Sequence, residues 1–90
     1  MEQSHRVYIR TQAEEDNTNA STILDIVKFR HPHFINLGIV EAYWRGFAEE
    51  TLALTIYDDE EQVLETVELI QQELNHKGYI FVESNDVTIV

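Results

Sequence analysis

The 90-residue chain carries 17 Asp and Glu against six Lys and Arg, a net charge of −11, and it has no cysteine. Six cations cannot offset the repulsion between so many carboxylates and a phosphate backbone, which argues against nucleic acid as a partner. The missing thiols exclude disulfides, thiolate metal sites and cysteine catalysis.

With 43% hydrophobic residues, residues 1–90 read as one globular domain with one small core. No apolar run approaches the roughly 20 residues of a membrane span. The opening MEQSHRVYIR offers no continuous apolar segment for a secretory signal, so a cytoplasmic protein is expected. In residues 6–11, Val7, Ile9 and Thr11 alternate with Tyr8 and Arg10, the pattern of a half-buried first strand. The polar QAEEDNTNA that follows is a surface loop. Residues 20–31, ASTILDIVKFRH, place Ile23, Ile26, Val27 and Arg30 at helical spacing and read as a short helix. Their β-branched content also suits a strand. Pro32 ends the element in either case.

Residues 39–45, IVEAYWR, and 51–57, TLALTIY, alternate on either side of a Gly-containing link and read as a hairpin. Placing Arg45 opposite Thr51 pairs Trp44 with Leu52, Ala42 with Leu54 and Val40 with Ile56, an all-apolar face. A helix follows, with Val63, Val67, Ile70 and Leu74 on one stripe that Leu64 widens. Asp58 suits its N-cap and Glu61 the reciprocal capping position, while Asp59, Glu60 and Glu61 complement the positive helix end. His76, Lys77 and Gly78 read as its C-terminal stop. GYIFV is then a strand, Ser84-Asn85-Asp86 a turn, and Val87–Val90 a short final strand. The order is βαββαβ plus that strand, and its usual packed solution is a ferredoxin-like α+β sandwich: an antiparallel sheet with both helices on one face.

Strict alternation then assigns Val7, Ile9, Val40, Ala42, Trp44, Leu52, Leu54, Ile56, Ile80 and Val82 to the helix side. Tyr8, Ile39, Tyr43, Tyr57, Tyr79 and Phe81 fall on the other side, where so many aromatics make a large patch for a monomer. Stacking of single-stranded nucleic acid would use such a face, but Arg10 and Arg45 are nearly its only cations. Packing of sheets between subunits fits better, because tyrosine supplies contact area and keeps a polar end for the rim. A homo-oligomer, dimer or trimer, is expected through these six residues. The blander alternative is partial cover of the face by loops and the last strand.

Chemistry is sparse. His31 and His33 flank Pro32 and could share a ligand in extended chain, yet no third ligand is named by spacing, so no metal is expected. The Asp58–Glu61 run lacks calcium-loop spacing and reads as helix capping. The serines at 4, 21 and 84 have no activating neighbours, and the glycines at 38, 46 and 78 are isolated, so no phosphate loop exists. Neither an enzyme activity nor a bound cofactor is expected.

The second half, from Gly38-Ile39-Val40-Glu41-Ala42-Tyr43-Trp44-Arg45-Gly46-Phe47 through Thr51–Tyr57, the helix and Gly78-Tyr79-Ile80-Phe81-Val82, resembles PII-like signalling proteins. More loosely it is similar to ACT and CutA-type regulatory domains. PII proteins have a strand ending in a glycine–aromatic pair before a long loop, and a G-K-I-F-V strand after the second helix. The resemblance implies a trimer with inward-facing sheets and ligands in clefts between subunits. Here the long loop shrinks to about Phe47–Glu50, and Tyr79 stands where the family's nucleotide-contacting lysine does, which argues against ATP binding in the family mode. The expected function is a non-catalytic regulatory or ligand-sensing module that self-associates through its sheet. A small-molecule effector would bind in an inter-subunit cleft between strand ends, near Arg45, Gly46, Phe47 and Tyr79. The alternative is an acidic adaptor or inhibitor that docks on a basic protein.

Overall fold

The computed structural model describes residues 3–11, 20–73 and 80–86. Within them the chain runs β1 (Gln3–Arg10), α1 (Ala20–Arg30), β2 (Phe34–Trp44), β3 (Phe47–Tyr57), α2 (Glu60–Glu73) and β4 (Ile80–Asp86). The strands form one sheet in the order β2-β3-β1-β4, with every neighbouring pair antiparallel. This is the ferredoxin-like arrangement expected from the element order. Residues 20–30 are helical, so local 3.6-residue periodicity prevails over β-branched content, and the helix stops just before His31-Pro32.

The core lies between one sheet face and the helices. Val7, Ile9, Leu52, Leu54 and Ile56 from the sheet meet Ile23 and Val27 of α1 and Val63 and Ile70 of α2, all buried. Ile80 and Val82 pack against this cluster, opposite Ile9 and Val7. Leu64 does not widen the buried stripe, being 48% exposed. Thr66 holds the inward position instead, 1% exposed. The continuation of α2 through Leu74 to Gly78, and the final strand Val87–Val90, lie outside the described residues.

The hairpin differs most from expectation. Trp44 pairs with Phe47, not Leu52, across a two-residue turn of Arg45 (φ 53°) and Gly46 (φ 85°). Positive φ at both positions is the type I′ geometry, whose twist matches the flanking strands, and glycine adopts it without steric cost. GFAEE is therefore turn and strand rather than a link. The new register puts Tyr43 opposite Ala48, Val40 opposite Thr51 and Ile39 opposite Leu52. Partners across a ladder share a face. Val40 and Ala42 consequently lie on the face away from the helices, while Ile39 and Tyr43 lie on the helix side, the reverse of the expected assignment. A shift at Asn36–Gly38 separates this half of β2 from Phe34–Asn36, and there the Gly38 N–H (φ 90°) donates to Asn36 Oδ1 at 2.9 Å.

Two further boundaries move. Asp59 accepts the first helical bond, from Val63 N–H at 3.2 Å, so Asp59 and not Asp58 occupies the cap position of α2. Glu60 N–H donates to Gln3 Oε1 at 3.3 Å, a cap supplied from β1. Ser84, Asn85 and Asp86 continue β4 and pair with His5, Ser4 and Gln3, instead of turning.

Candidate functional site

The candidate surfaces follow from this register. Beyond Thr51, the last β3 residue paired with β1, the β2–β3 hairpin continues as a two-stranded arm closed by Arg45 and Gly46. Arg10 ties its base, with an ion pair to Glu49 at 3.5 Å, and Thr11 N–H donates to Glu50 C=O at 3.1 Å. Arg45, Gly46 and Phe47 are exposed at the tip, Phe47 by 74%. Next to them an open hollow is lined by Ile39, Val40, Glu41, Ala48, Glu49 and Glu50. The structure thus gathers three of the expected ligand residues at one turn, while the fourth, Tyr79, lies outside the described residues.

The sheet face away from the helices carries Tyr8, Tyr57 and Phe81, as expected, with Ile35, Val40 and Ala42 from β2. Tyr8 and Phe81 pack with ring centroids 6.4 Å apart at 46°. Between the aliphatic residues of β2 and the Tyr8–Phe81 pair the face is made of Thr51, Ala53 and Thr55, all buried. Arg6 crosses it, its Nε donating to Thr55 Oγ1 at 3.1 Å and its Nη1 to Tyr8 Oη at 3.4 Å. The face is a mixed surface whose apolar part runs along β2 and along the Tyr8–Phe81 pair.

Sequence reasoning did not find a buried polar network at the other end of the sheet. His31, 1% exposed, directs Nδ1–H to Asp58 Oδ2 at 2.8 Å, and its Nε2 meets Thr66 Oγ1 at 2.6 Å. Asp58 Oδ1 accepts the Asp59 N–H at 2.8 Å. Arg30 Nε donates to Thr66 Oγ1 at 2.8 Å and Arg30 Nη2 reaches Glu65 Oε2 at 3.3 Å. His5, fully buried, donates from Nε2 to the Asp58 carbonyl at 2.9 Å and accepts from Ser84 Oγ at Nδ1, 2.7 Å. Burial pushes the Asp58 carboxyl up, but the Asp59 amide and then His31 outweigh it and hold the group below its ordinary value.

Carboxylate, imidazole and hydroxyl in line are the elements of an acid–base relay. Here the hydroxyl is 1% exposed and already accepts from Arg30, so no substrate reaches it. The network instead ties β1, β4, α1, α2 and the β3–α2 junction together. His33 is exposed while His31 turns inward with both nitrogens engaged, so the two do not form a ligand pair. Among the described residues no group of three or more His, Cys, Asp and Glu could hold a metal. A signal for the network did exist: Thr66 interrupts the apolar stripe of α2, and a buried threonine needs a partner.

No protein-family model matches the chain, and no curated protein matches it. Among solved structures it is similar to CPII, a nitrogen regulatory PII-like protein from Thiomonas intermedia K12 bound to ADP, AMP and bicarbonate. The TM-score is 0.66 at 15% identity, over 100% of this chain and 97% of that one. It is also similar to the de novo designed protein Foldit4, with a TM-score of 0.59 and 24% identity over 98% of this chain and 100% of that one. The chain has a ferredoxin-like fold, which it shares with both of these proteins. A designed protein with the same architecture is a reminder that the fold alone carries no ligand. No described helix is long and apolar enough to cross a membrane.

Proposed function

We propose that this chain is a small, non-catalytic regulatory module that self-associates through its open sheet face and senses a small molecule at the hairpin tip. One observation carries the reading. On a PII-like fold, the face away from the helices bears Tyr8, Tyr57 and Phe81 beside exposed Ile35 and Val40. Apolar and aromatic area of this kind, crossed by Arg6, is what an association surface uses. Ile39 and Tyr43 leave the proposed face and Val40 joins it. The proposed effector site is the exposed turn Arg45, Gly46 and Phe47; Tyr79, expected beside it, lies outside the described residues. The PII-like neighbour's ADP, AMP and bicarbonate make those three compounds the first probes. A cytoplasmic setting goes with this reading.

Light scattering tests the assembly. Wild type should give a multiple of 10.5 kDa, and Tyr8→Glu with Phe81→Glu should give a folded species of that single mass. A double variant that keeps the wild-type mass would remove the sheet face from the proposal. For the effector, an NMR titration with ADP, AMP and bicarbonate should shift Arg45, Gly46 and Phe47, and no shift with any of the three would count against a site there.

A second reading rests on α2, whose outer surface exposes Glu60, Glu61, Glu65 and Glu68 around Leu64. With a net charge of −11, this surface suits an acidic adaptor or inhibitor on a basic partner. Such binding weakens steeply with salt, whereas packing through the sheet face does not.

A further inference from the structure

β2 is an outer strand of the sheet, eleven residues long, and among the described residues it pairs only with β3. Edge strands are normally blunted by lysine, proline, bulges or short length, because their unpaired N–H and C=O groups invite another strand. From Ile39 to Tyr43 this edge has no proline and no lysine, and the bulge lies further back at Asn36–Gly38. One bond fixes which groups face outward. Glu50 accepts from Thr11 N–H at 3.1 Å, so its carbonyl points to the β1 side and away from β2. Glu41 stands opposite Glu50 and is not bonded to it, so the Glu41 N–H and C=O face outward. Alternation gives Ile39 and Tyr43 the same outward main chain and points that of Val40 and Ala42 at β3.

The side chains define what would pair there. Residues opposite each other without hydrogen bonds have Cα atoms about 4.5 Å apart. Glu41 and Glu50 are therefore like charges at close quarters, an arrangement that costs stability. Glu49, on the opposite face, is tied to Arg10 at 3.5 Å. Tyr43 Oη donates to Glu41 Oε1 at 2.9 Å, which leaves Oε2 for a further donor. Ile39 and Tyr43 lie on the same face as Glu41, one on each side of it, 50% and 69% exposed. The outward positions thus read apolar, acidic, aromatic. A second copy, at −11, would add more of the charge already in excess. A cation relieves it.

We propose that this edge takes an extended basic segment of another protein, which adds as a further strand outside β2. The segment carries Arg or Lys opposite Glu41 and an apolar residue two positions to either side, against Ile39 and Tyr43. Arginine fits best, because its planar fork binds a carboxylate through two N–H groups while its stem covers apolar surface. From that position it faces Glu41 and, one strand further in, Glu50. Main-chain bonds supply affinity and alternate side chains supply specificity, as in strand addition generally. The edge is neither the open sheet face nor the outer surface of α2, and the inference depends on neither reading above.

The capped peptide TVTRTVT is the probe, titrated at low salt into isotope-labelled chain and followed by NMR. The amides of Ile39, Glu41 and Tyr43 should shift and exchange more slowly, whereas Val40 and Ala42, already bonded to β3, should keep their exchange rates. TVTETVT should not bind. Glu41→Gln, an exposed change, should weaken the arginine peptide about fivefold while keeping the native spectrum. N-methylation of the arginine amide, which faces β2, should abolish binding, and N-methylation of the next threonine, which faces away, should not. Equal binding of both peptides, indifference to the site of methylation, or no shift along β2 would each overturn the pairing. So would slow exchange at Ile39, Glu41 and Tyr43 before any peptide is added, because the edge would already be covered. Shifts gathered at Glu60, Glu61, Glu65 and Glu68 instead would also sink it, and would leave the reading based on α2 standing.

Discussion

His31→Ala is expected to lower the unfolding free energy by about 3 kcal/mol at pH 7, a typical cost for breaking a buried charged hydrogen-bond pair. His31 is 1% exposed and bonds Asp58 on one side and Thr66 on the other. Its removal leaves a cavity and strips Asp58 Oδ2 of its ring donor. Water softens the loss, because the Asp58 side chain is 26% accessible, so the upper end of the usual range is not expected. The variant should also change the response to acid. The folded Asp58 carboxyl lies below its ordinary value, with the Asp59 amide and His31 outweighing the upward push of burial. A depressed carboxyl contributes stability above the unfolded pKa of about 3.9 and loses it as pH falls through the folded pKa. Without His31 its share of that contribution is lost, while the share from the Asp59 amide stays. The gap between wild type and variant in urea unfolding should therefore be wider at pH 7 than at pH 3. Equal losses at both values, or a loss under about 1 kcal/mol, would mean that the network is not the tie it is drawn to be.

Why the element order was readable but the second strand's faces were not comes down to one turn. Period-2 and period-3.6 patterns identify strands and helices by which residues must be hidden, and Val7, Ile9, Leu52, Leu54 and Ile56 obey them. Residues 39–50 have no such constraint, because the arm projects past β1 and neither face is deeply buried. Register there depends on the Arg45-Gly46 turn. Reading the apolar residues as one buried face assumed a five-residue link where two residues suffice. A register change by an odd number of positions exchanges the faces, which moved Ile39 and Tyr43 to one side and Val40 and Ala42 to the other. The His31–Asp58–Thr66 network escaped for a different reason. Its members lie in three separate stretches, just past α1, at the β3–α2 junction and within α2, and only the fold brings them within hydrogen-bond distance. Of the candidate site, the tip residues Arg45, Gly46 and Phe47 were visible as a glycine–aromatic pair, while the outward main-chain groups of β2 become apparent only once the strand order is known.

Leu54→Ala should cost about 3–4 kcal/mol, near the middle of the range for emptying a fully buried leucine site. Leu54 is 0% exposed and sits in β3 between Val7 of β1 and Asn36 of β2, in the same cluster as Val63 and Ile70 of α2. Central strands cannot collapse into a void without breaking ladders on both sides, so relaxation recovers little of the loss. For a domain of this size each kcal/mol moves the midpoint by about 4–8 °C, giving an expected drop of roughly 12–30 °C. Leu64→Ala is the internal comparison. Leu64 is 48% exposed on the outer surface of α2, and alanine is a better helix former, so a change within about 1 kcal/mol is expected. Calorimetry on the pair distinguishes packing from propensity. A small effect at 54 would mean that the core does not lie where Val7, Leu54 and Ile70 meet. A large effect at 64 would mean that the outer surface of α2 is covered by a second copy in solution, which neither the acidic-adaptor reading nor the sheet-face reading requires.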